Sequence, residues 1–360
     1  MAEKVLMKGN EAFAEAALRG GCRFYFGYPI TPQSEIPEYM SHELAKRGGK
    51  FLQAESELGA INMAYGAAAA GEDVFISSSY TGIALMQEGM SFLCSARVPA
   101  TILNVSRCGP GVGGIQPGGC DYYQMTRGGG NGDYRIPCFA PSNLQEAVDI
   151  IYEAPAIANK YRNPVFILAD GMMGQMMEPI ALPEYREGLD KKDIPTVKNW
   201  AVTGWDDRNG QRNVIQSLRM QPEDLEAFVE NAFKDYAKAE EELARYEAID
   251  LEGAEIVFVA FGTLARITKE AIEILASRGI KAGLIRPISL WPYPKKAFDL
   301  IDSTCKTVIS TELSMGQMID DVRIAVNGRF PVDLIHKTGG MVPTSIEIAD
   351  QAQKILEGRK

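Results

Sequence analysis

Short apolar runs alternate with longer helix-forming stretches between Arg23 and Leu168, and this alternation limits the fold more than any other feature of the chain. Residues 23–27, 51–55, 73–77, 100–106, 136–140 and 165–168 read as strands. Helices are expected over 7–20, 34–46, 57–70, 83–94 and 143–160. Strands that alternate with helices build a parallel sheet covered on both faces. Such a sheet places its ligands on the loops at the carboxyl ends of its strands.

After Asp170 the composition changes. Pro179, Pro183 and Pro195 interrupt regular structure, and Lys191-Lys192-Asp193 reads as a charged surface stretch. Residues 222–248 then carry apolar side chains at helical spacing, including Leu225, Phe228, Val229, Ala232, Phe233, Tyr236 and Leu243. The acidic face of that helix (Glu226, Glu230, Glu240, Glu241) reads as solvated. A second α/β unit follows, with strands at 255–260, 281–286 and 307–311 and helices at 267–278, 295–301 and 344–356. The expected organisation is an α/β domain over 1–185, a linker with a long helix over 186–250, and a second α/β domain over 251–360. No internal repeat is visible.

Composition narrows the function. Hydrophobic residues make up 46% and charged residues 23%, an ordinary globular balance. The net charge of −10 argues against nucleic acid as a partner, because phosphate binding requires a basic surface. The first twenty residues are charged at Glu3, Lys4, Lys8 and Glu11 and do not read as a secretory leader. No apolar run is long enough to span a bilayer, so a cytoplasmic location without a membrane partner is expected. Six cysteines lack any C-x-x-C spacing and only His42 and His336 accompany them, so neither a metal site nor a self-contained iron–sulfur cluster is expected on this chain.

Three strand-to-helix junctions carry the chemistry. The first is Tyr28-Pro29-Ile30-Thr31-Pro32, in which Thr31 fits an N-cap with Pro32 in the first turn, or a ligand contact, or both. The second is Glu55-Ser56-Glu57-Leu58-Gly59-Ala60, whose two carboxylates spacing alone does not separate. The third is Arg107, which closes the strand 100–106; alone it fits a surface charge, but a guanidinium can also hold a carboxylate through two parallel bonds. Gly109-Pro110-Gly111-Val112-Gly113-Gly114 matches G-x-G-x-x-G, yet Gln116-Pro117-Gly118-Gly119 cannot start the helix that a dinucleotide fingerprint needs. Ten glycines between Arg107 and Arg135 make 108–135 a long glycine-rich loop, suited to a lid over substrate or to a partner surface.

In wording and spacing these segments resemble the alpha-type subunits of the 2-oxoacid:ferredoxin oxidoreductases, which are thiamine diphosphate enzymes built from several chains. The resemblance spans essentially the whole sequence. Residues 1 to about 180 are similar to a pyrimidine-binding domain, and 251–360 to a transketolase C-terminal-like domain. It implies that Glu57 bonds to N1′ of the cofactor's aminopyrimidine and favours the imino tautomer. Thr31 would then contact the 2-oxoacid, Arg107 would hold its carboxylate, and Tyr28, Pro29 and Ile30 would adjoin the cofactor. Arg127 and Arg135 are weaker candidates for binding substrate or coenzyme A.

The chain contains no Gly-Asp-Gly; Asn131-Gly132-Asp133-Tyr134 and Ala169-Asp170-Gly171 come nearest. It is therefore expected to supply only the pyrimidine half of the thiamine diphosphate site. The Mg²⁺ and [4Fe-4S] clusters would reside on a thiamine-diphosphate-binding beta-type subunit, a gamma-type subunit and a ferredoxin-like cluster subunit. The implied reaction turns a 2-oxoacid and coenzyme A into acyl-CoA and CO₂ while reducing ferredoxin. The branched-chain type, acting on 3-methyl-2-oxobutanoate, is resembled most. A 2-oxoglutarate or pyruvate enzyme and a non-catalytic scaffold subunit are the alternatives.

Overall fold

The computed structural model describes residues 4–186, 198–204 and 212–359; the charged stretch Lys191-Lys192-Asp193 lies outside them. Its first part comprises β1 (Lys4–Lys8), α1 (Gly9–Arg19), β2 (Phe24–Gly27), α2 (Glu35–Lys46), β3 (Lys50–Gln53), α3 (Glu57–Ala69), β4 (Val74–Ser78) and α4 (Tyr80–Ser95). Next come β5 (Ala100–Ser106), α5 (Tyr122–Arg127), β6 (Cys138–Phe139), α6 (Leu144–Tyr161), β7 (Pro164–Asp170), α7 (Gly171–Gln175) and β8 (Met177–Ala181). The remainder comprises α8 (Pro222–Leu243), β9 (Tyr246–Ile249), β10 (Ile256–Val259), α9 (Gly262–Ser277), β11 (Ala282–Pro287) and β12 (Ser289–Trp291). A 3-10 helix (Lys295–Leu300), β13 (Thr307–Glu312), α10 (Met318–Val326), β14 (Val332–His336) and α11 (Ser345–Glu357) complete it.

Seven strands form the larger sheet in the order β12-β6-β7-β5-β4-β2-β3. All its neighbours are parallel except β12, which runs antiparallel to β6. Every residue of β4, β5 and β7 is buried, which is why these strands are mainly apolar without alternating, their polar residues falling chiefly toward the carboxyl ends. The chain passes from β2 outward to β3, then returns to β4 and moves on to β5 on the other side. Strand order therefore reverses between β2 and β4, and a crevice at such a reversal is where an open α/β sheet binds ligands.

The smaller sheet runs β14-β13-β10-β11-β9, parallel except for β9. Its neighbour β12 leaves that unit altogether. Ser289 pairs with Phe139 and Trp291 with Cys138, so the second half of the chain finishes the sheet of the first. Trp291 also meets Tyr236 of α8 edge-on at 6.0 Å, and Phe139, Tyr236, Trp291 and Phe298 belong to one continuous core.

Several expectations shift. The helix expected over 222–248 stops at Leu243, because Tyr246–Ile249 pair with β11 as an antiparallel edge. Met7 and Lys8 belong to a strand paired with β8, so the first helix starts at Gly9. Residues 295–300 form a 3-10 helix. The elements β1, β8, β12, β14, α5, α7 and α10 have no counterpart in the sequence pattern. Among the described residues no helix is long and apolar enough to cross a membrane, and no acidic, histidine or cysteine cluster is arranged to hold a metal ion.

Candidate active site

Four adjacent strands, β3, β2, β4 and β5, bring their carboxyl ends together at the reversal of the sheet. Three of these ends carry the segments singled out in the sequence. The fourth, Ser77-Ser78-Ser79-Tyr80-Thr81-Gly82 at the end of β4, does not stand out in the sequence, because a run of serines bears no periodic signal.

The Tyr28–Pro32 turn is held from several sides. Asn10 Nδ2 donates to Pro32 O (2.8 Å), and Gln175 Nε2 donates to the same carbonyl (3.2 Å). Thr31 does not cap a helix. The helix α2 begins only at Glu35 after Ser34, and Thr31 is exposed at the rim with Tyr28 and Pro29, while Ile30 is half-buried. Beneath the turn, Tyr25 Oη donates to Ser77 Oγ (2.8 Å), which donates to Gln33 Oε1 (2.5 Å). This buried chain ties β2 to β4 across the crevice.

Glu57 is the first residue of α3, and Ser56 caps that helix by accepting from Gly59 N (3.1 Å). Glu57 is 8% exposed, and its carboxylate forms no hydrogen bond or ion pair with the described residues. Glu55, by contrast, is exposed, and its carboxylate folds over Gly59. The geometry thus separates the two carboxylates that spacing left equivalent. A Cβ on Gly82 of α4 would lie 2.6 Å from Glu57 Oε1 and 2.1 Å from Ser78 Oγ, so only glycine leaves room for both there. Replacing Ser56 with Ala is expected to cost about 1 kcal/mol of stability, the usual worth of such a cap. Denaturant unfolding of the chain checks this, and an unchanged midpoint would show that tertiary packing alone fixes the start of α3.

Arg107 is also 8% exposed. Its Nη1 donates to Thr31 O (2.8 Å) and its Nη2 to Val112 O (3.0 Å), while Nε is buried without a partner among the described residues. The guanidinium therefore fastens the Thr31 turn to the glycine-rich loop. That loop is folded. Cys108 N donates to Gln116 O, Gly114 N to Cys108 O, and Gly119 N to Leu313 O of the second unit. Gly118 packs so closely on the Arg107 carbonyl that a Cβ would stand 2.8 Å from it. Wholly buried Asp121 accepts from Ser106 Oγ (2.7 Å) and Asn104 Nδ2 (2.5 Å), pinning the returning limb to β5. Burial raises the Asp121 pKa, against the two side-chain bonds that lower it.

The β4 junction contributes Tyr80, whose φ of 31° is unusual for a residue other than glycine. Its hydroxyl lies over Gly109 Cα, at 1.8 Å from where a Cβ would stand. Burial and the neighbouring Cys120 and Asp121 push its pKa up to about 12, so it stays protonated. Arg127 and Arg135 are not part of the site. Arg127 Nη2 pairs with Asp321 of α10 (2.9 Å), and Arg135 stacks over Phe233 of α8 (5.6 Å). Around the crevice, Gln33 Nε2, Ser78 Oγ, Ser79 Oγ, Asn104 Oδ1 and Arg107 Nε are buried without partners among the described residues. Buried polar atoms are normally satisfied, so this concentration at one end of one sheet marks a place suited to a polar ligand.

Comparison with known proteins adds to this geometry. A family model described as pyruvate flavodoxin/ferredoxin oxidoreductase, thiamine diphosphate-binding, matches residues 15–248. One described as pyruvate:ferredoxin oxidoreductase core domain II matches residues 254–348. Ketoisovalerate oxidoreductase subunit VorB of Methanothermobacter thermautotrophicus is 44% identical over 98% of this chain and 97% of its own length. The 2-oxoglutarate synthase subunit KorA of Methanocaldococcus jannaschii is 33% identical over 93% of this chain and 95% of its own. A solved structure of 2-oxoglutarate:ferredoxin oxidoreductase from Magnetococcus marinus shares the fold, with a TM-score of 0.86 at 24% identity over 99% of this chain and 66% of that one.

Proposed function

Since the chain belongs to the pyruvate:ferredoxin oxidoreductase family of thiamine-diphosphate-binding proteins, we propose that it is the pyrimidine-binding subunit of an enzyme that oxidatively decarboxylates 3-methyl-2-oxobutanoate. The products are the acyl-CoA, CO₂ and reduced ferredoxin. The observation that carries this reading is Glu57, a residue 8% exposed whose carboxylate has no partner among the described residues, at the reversal of a parallel sheet, with Thr31 and Arg107 on neighbouring strand ends. Residues 1–185 would form the pyrimidine-binding domain, 186–250 the linker, and 251–360 the transketolase C-terminal-like domain.

A partnerless carboxylate beside the unspent Ser78 hydroxyl fits the pyrimidine half of thiamine diphosphate. The chain lacks Gly-Asp-Gly, so the fit does not extend to the diphosphate, which with Mg²⁺ is assigned to the beta-type partner. When bound, thiamine diphosphate supplies the nucleophilic, electron-accepting centre at which a 2-oxoacid loses CO₂. Glu57 holds a proton between its carboxyl and N1′ of the pyrimidine. Thr31 orients the 2-oxo group from the rim. Arg107 keeps three N–H bonds beyond the two spent on carbonyls and directs them to the substrate carboxylate. Partner subunits would hold the [4Fe-4S] clusters that accept the electrons.

Substrate preference rests on two supports. The relative acting on ketoisovalerate stands at 44% identity against 33% for the one named for 2-oxoglutarate. Arg127 and Arg135, the two cations considered for a second carboxylate, are engaged by Asp321 and Phe233. In the assembled complex, kcat/KM for 3-methyl-2-oxobutanoate is expected to exceed that for 2-oxoglutarate and pyruvate by at least roughly 10-fold, the scale on which apolar contacts discriminate. A preference for 2-oxoglutarate would overturn the substrate. Failure of the complex to reduce a viologen dye with any 2-oxoacid, thiamine diphosphate and coenzyme A would overturn the enzymatic reading in favour of a scaffold.

A further inference from the structure

The serine run at the end of β4 offers a second group to the Glu57 site. Ser78 is the last residue of β4 and is fully buried, yet its hydroxyl has no hydrogen-bond partner among the described residues. A buried hydroxyl left unsatisfied costs about 1–3 kcal/mol, so its position calls for an occupant. The space it faces is the one above Gly82 Cα, where Ser78 Oγ and Glu57 Oε1 flank the position that a Cβ would take. This space lies over the first turn of the sixteen-residue helix α4, whose positive end favours a carboxylate. The neighbouring strand residue Ser77 is already spent on Gln33, so it does not compete for this position.

We infer that Ser78 is a positioning residue for Glu57: its hydroxyl, unspent in the chain alone, donates to the nearby carboxyl group when the cofactor binds, seating it against the first turn of α4 and so aiming it at the pyrimidine ring. The inference rests on the assignment of Glu57 to the cofactor. It adds that Glu57 is aimed by β4 and α4 as well as by its own helix, and that Gly82 is glycine to leave this seat open.

The test is thiamine diphosphate affinity of the assembled complex, measured by titration calorimetry without substrate, alongside the melting temperature. Ser78→Ala is expected to weaken binding about 10-fold, the loss of one hydrogen bond to a charged group, with no fall in melting temperature. Ser78→Thr, which keeps the hydroxyl, should restore the affinity. Wild-type affinity in Ser78→Ala, with weakened affinity in Glu57→Gln, overturns the role of Ser78 alone. Wild-type affinity and turnover in Glu57→Gln overturns the parent assignment instead. A lowered melting temperature with unchanged affinity shows Ser78 to be structural only, and also overturns the inference. Should Ser78→Ala not assemble, Ser78→Cys keeps the volume while weakening the donor and is read in the same way.

Discussion

Glu57→Gln is expected to lower the turnover of the assembled enzyme by roughly 10²–10⁴-fold, the range for losing a positioned proton donor and acceptor. The amide has nearly the volume of the acid, so it should fit above Gly82 without displacing Ser78 or the helix. Its N–H can donate to a heteroaromatic nitrogen, but it cannot give up that proton and take it back as a carboxyl group does. Because the native carboxylate makes no hydrogen bond or ion pair with the described residues, its removal breaks no structural contact, and the melting temperature should stay where it was. Glu55→Gln serves as the control: that carboxylate is exposed over Gly59, and turnover should change little. Full activity in Glu57→Gln, or a loss that follows Glu55 instead, would falsify the assignment.

Arg107→Ala should act differently. Losing a charge-assisted contact to a carboxylate costs about 1.5–3 kcal/mol, which raises KM for the 2-oxoacid by roughly 10–150-fold. The side chain also joins Thr31 O to Val112 O, so its truncation releases the rim turn and the glycine-rich loop from each other. Arg107→Lys separates the two effects. A lysine keeps the charge but has no planar fork to reach both carbonyls at once. If substrate binding is the main loss, Lys recovers much of the KM; if loop fastening is, Lys remains close to Ala. Unchanged KM in Arg107→Ala, measured by steady-state kinetics on the complex, would remove the residue from the substrate site.

Much of this arrangement was readable before any coordinates. Strands such as Ala100–Ser106 and Val74–Ser78 are legible because burial on both faces favours a mainly apolar, β-branched stretch. Motifs on three strand ends could be placed near one another from the parallel topology alone. What escaped reading depends on partners remote in sequence. Nothing local tells that Arg127 is neutralised by Asp321, 194 positions away, or that the loop around Gly119 is fastened to Leu313. A cap at Thr31 fits the sequence because Thr-Pro is a common helix opening, but Pro32 here precedes two further residues before α2 begins. Ser78 and Ser79 at the end of β4 carry no distinguishing pattern in the sequence. Their significance lies in being buried with unspent hydroxyls, which is a property of packing and not of composition. Short edge strands such as β9 and β12 are likewise fixed by the surfaces they land on.

The pairing of Ser289–Trp291 with Cys138–Phe139 bears on how such a protein can be divided during evolution. Severing the gene between its two units would strip the amino-terminal product of its border strand and leave a sticky margin at Cys138–Phe139. Trp291 would also be withdrawn from Tyr236, opening a hole in a shared interior. Fission at that point should therefore persist only where the two fragments re-associate on synthesis, so the halves are inherited as one cooperative whole, not as interchangeable modules.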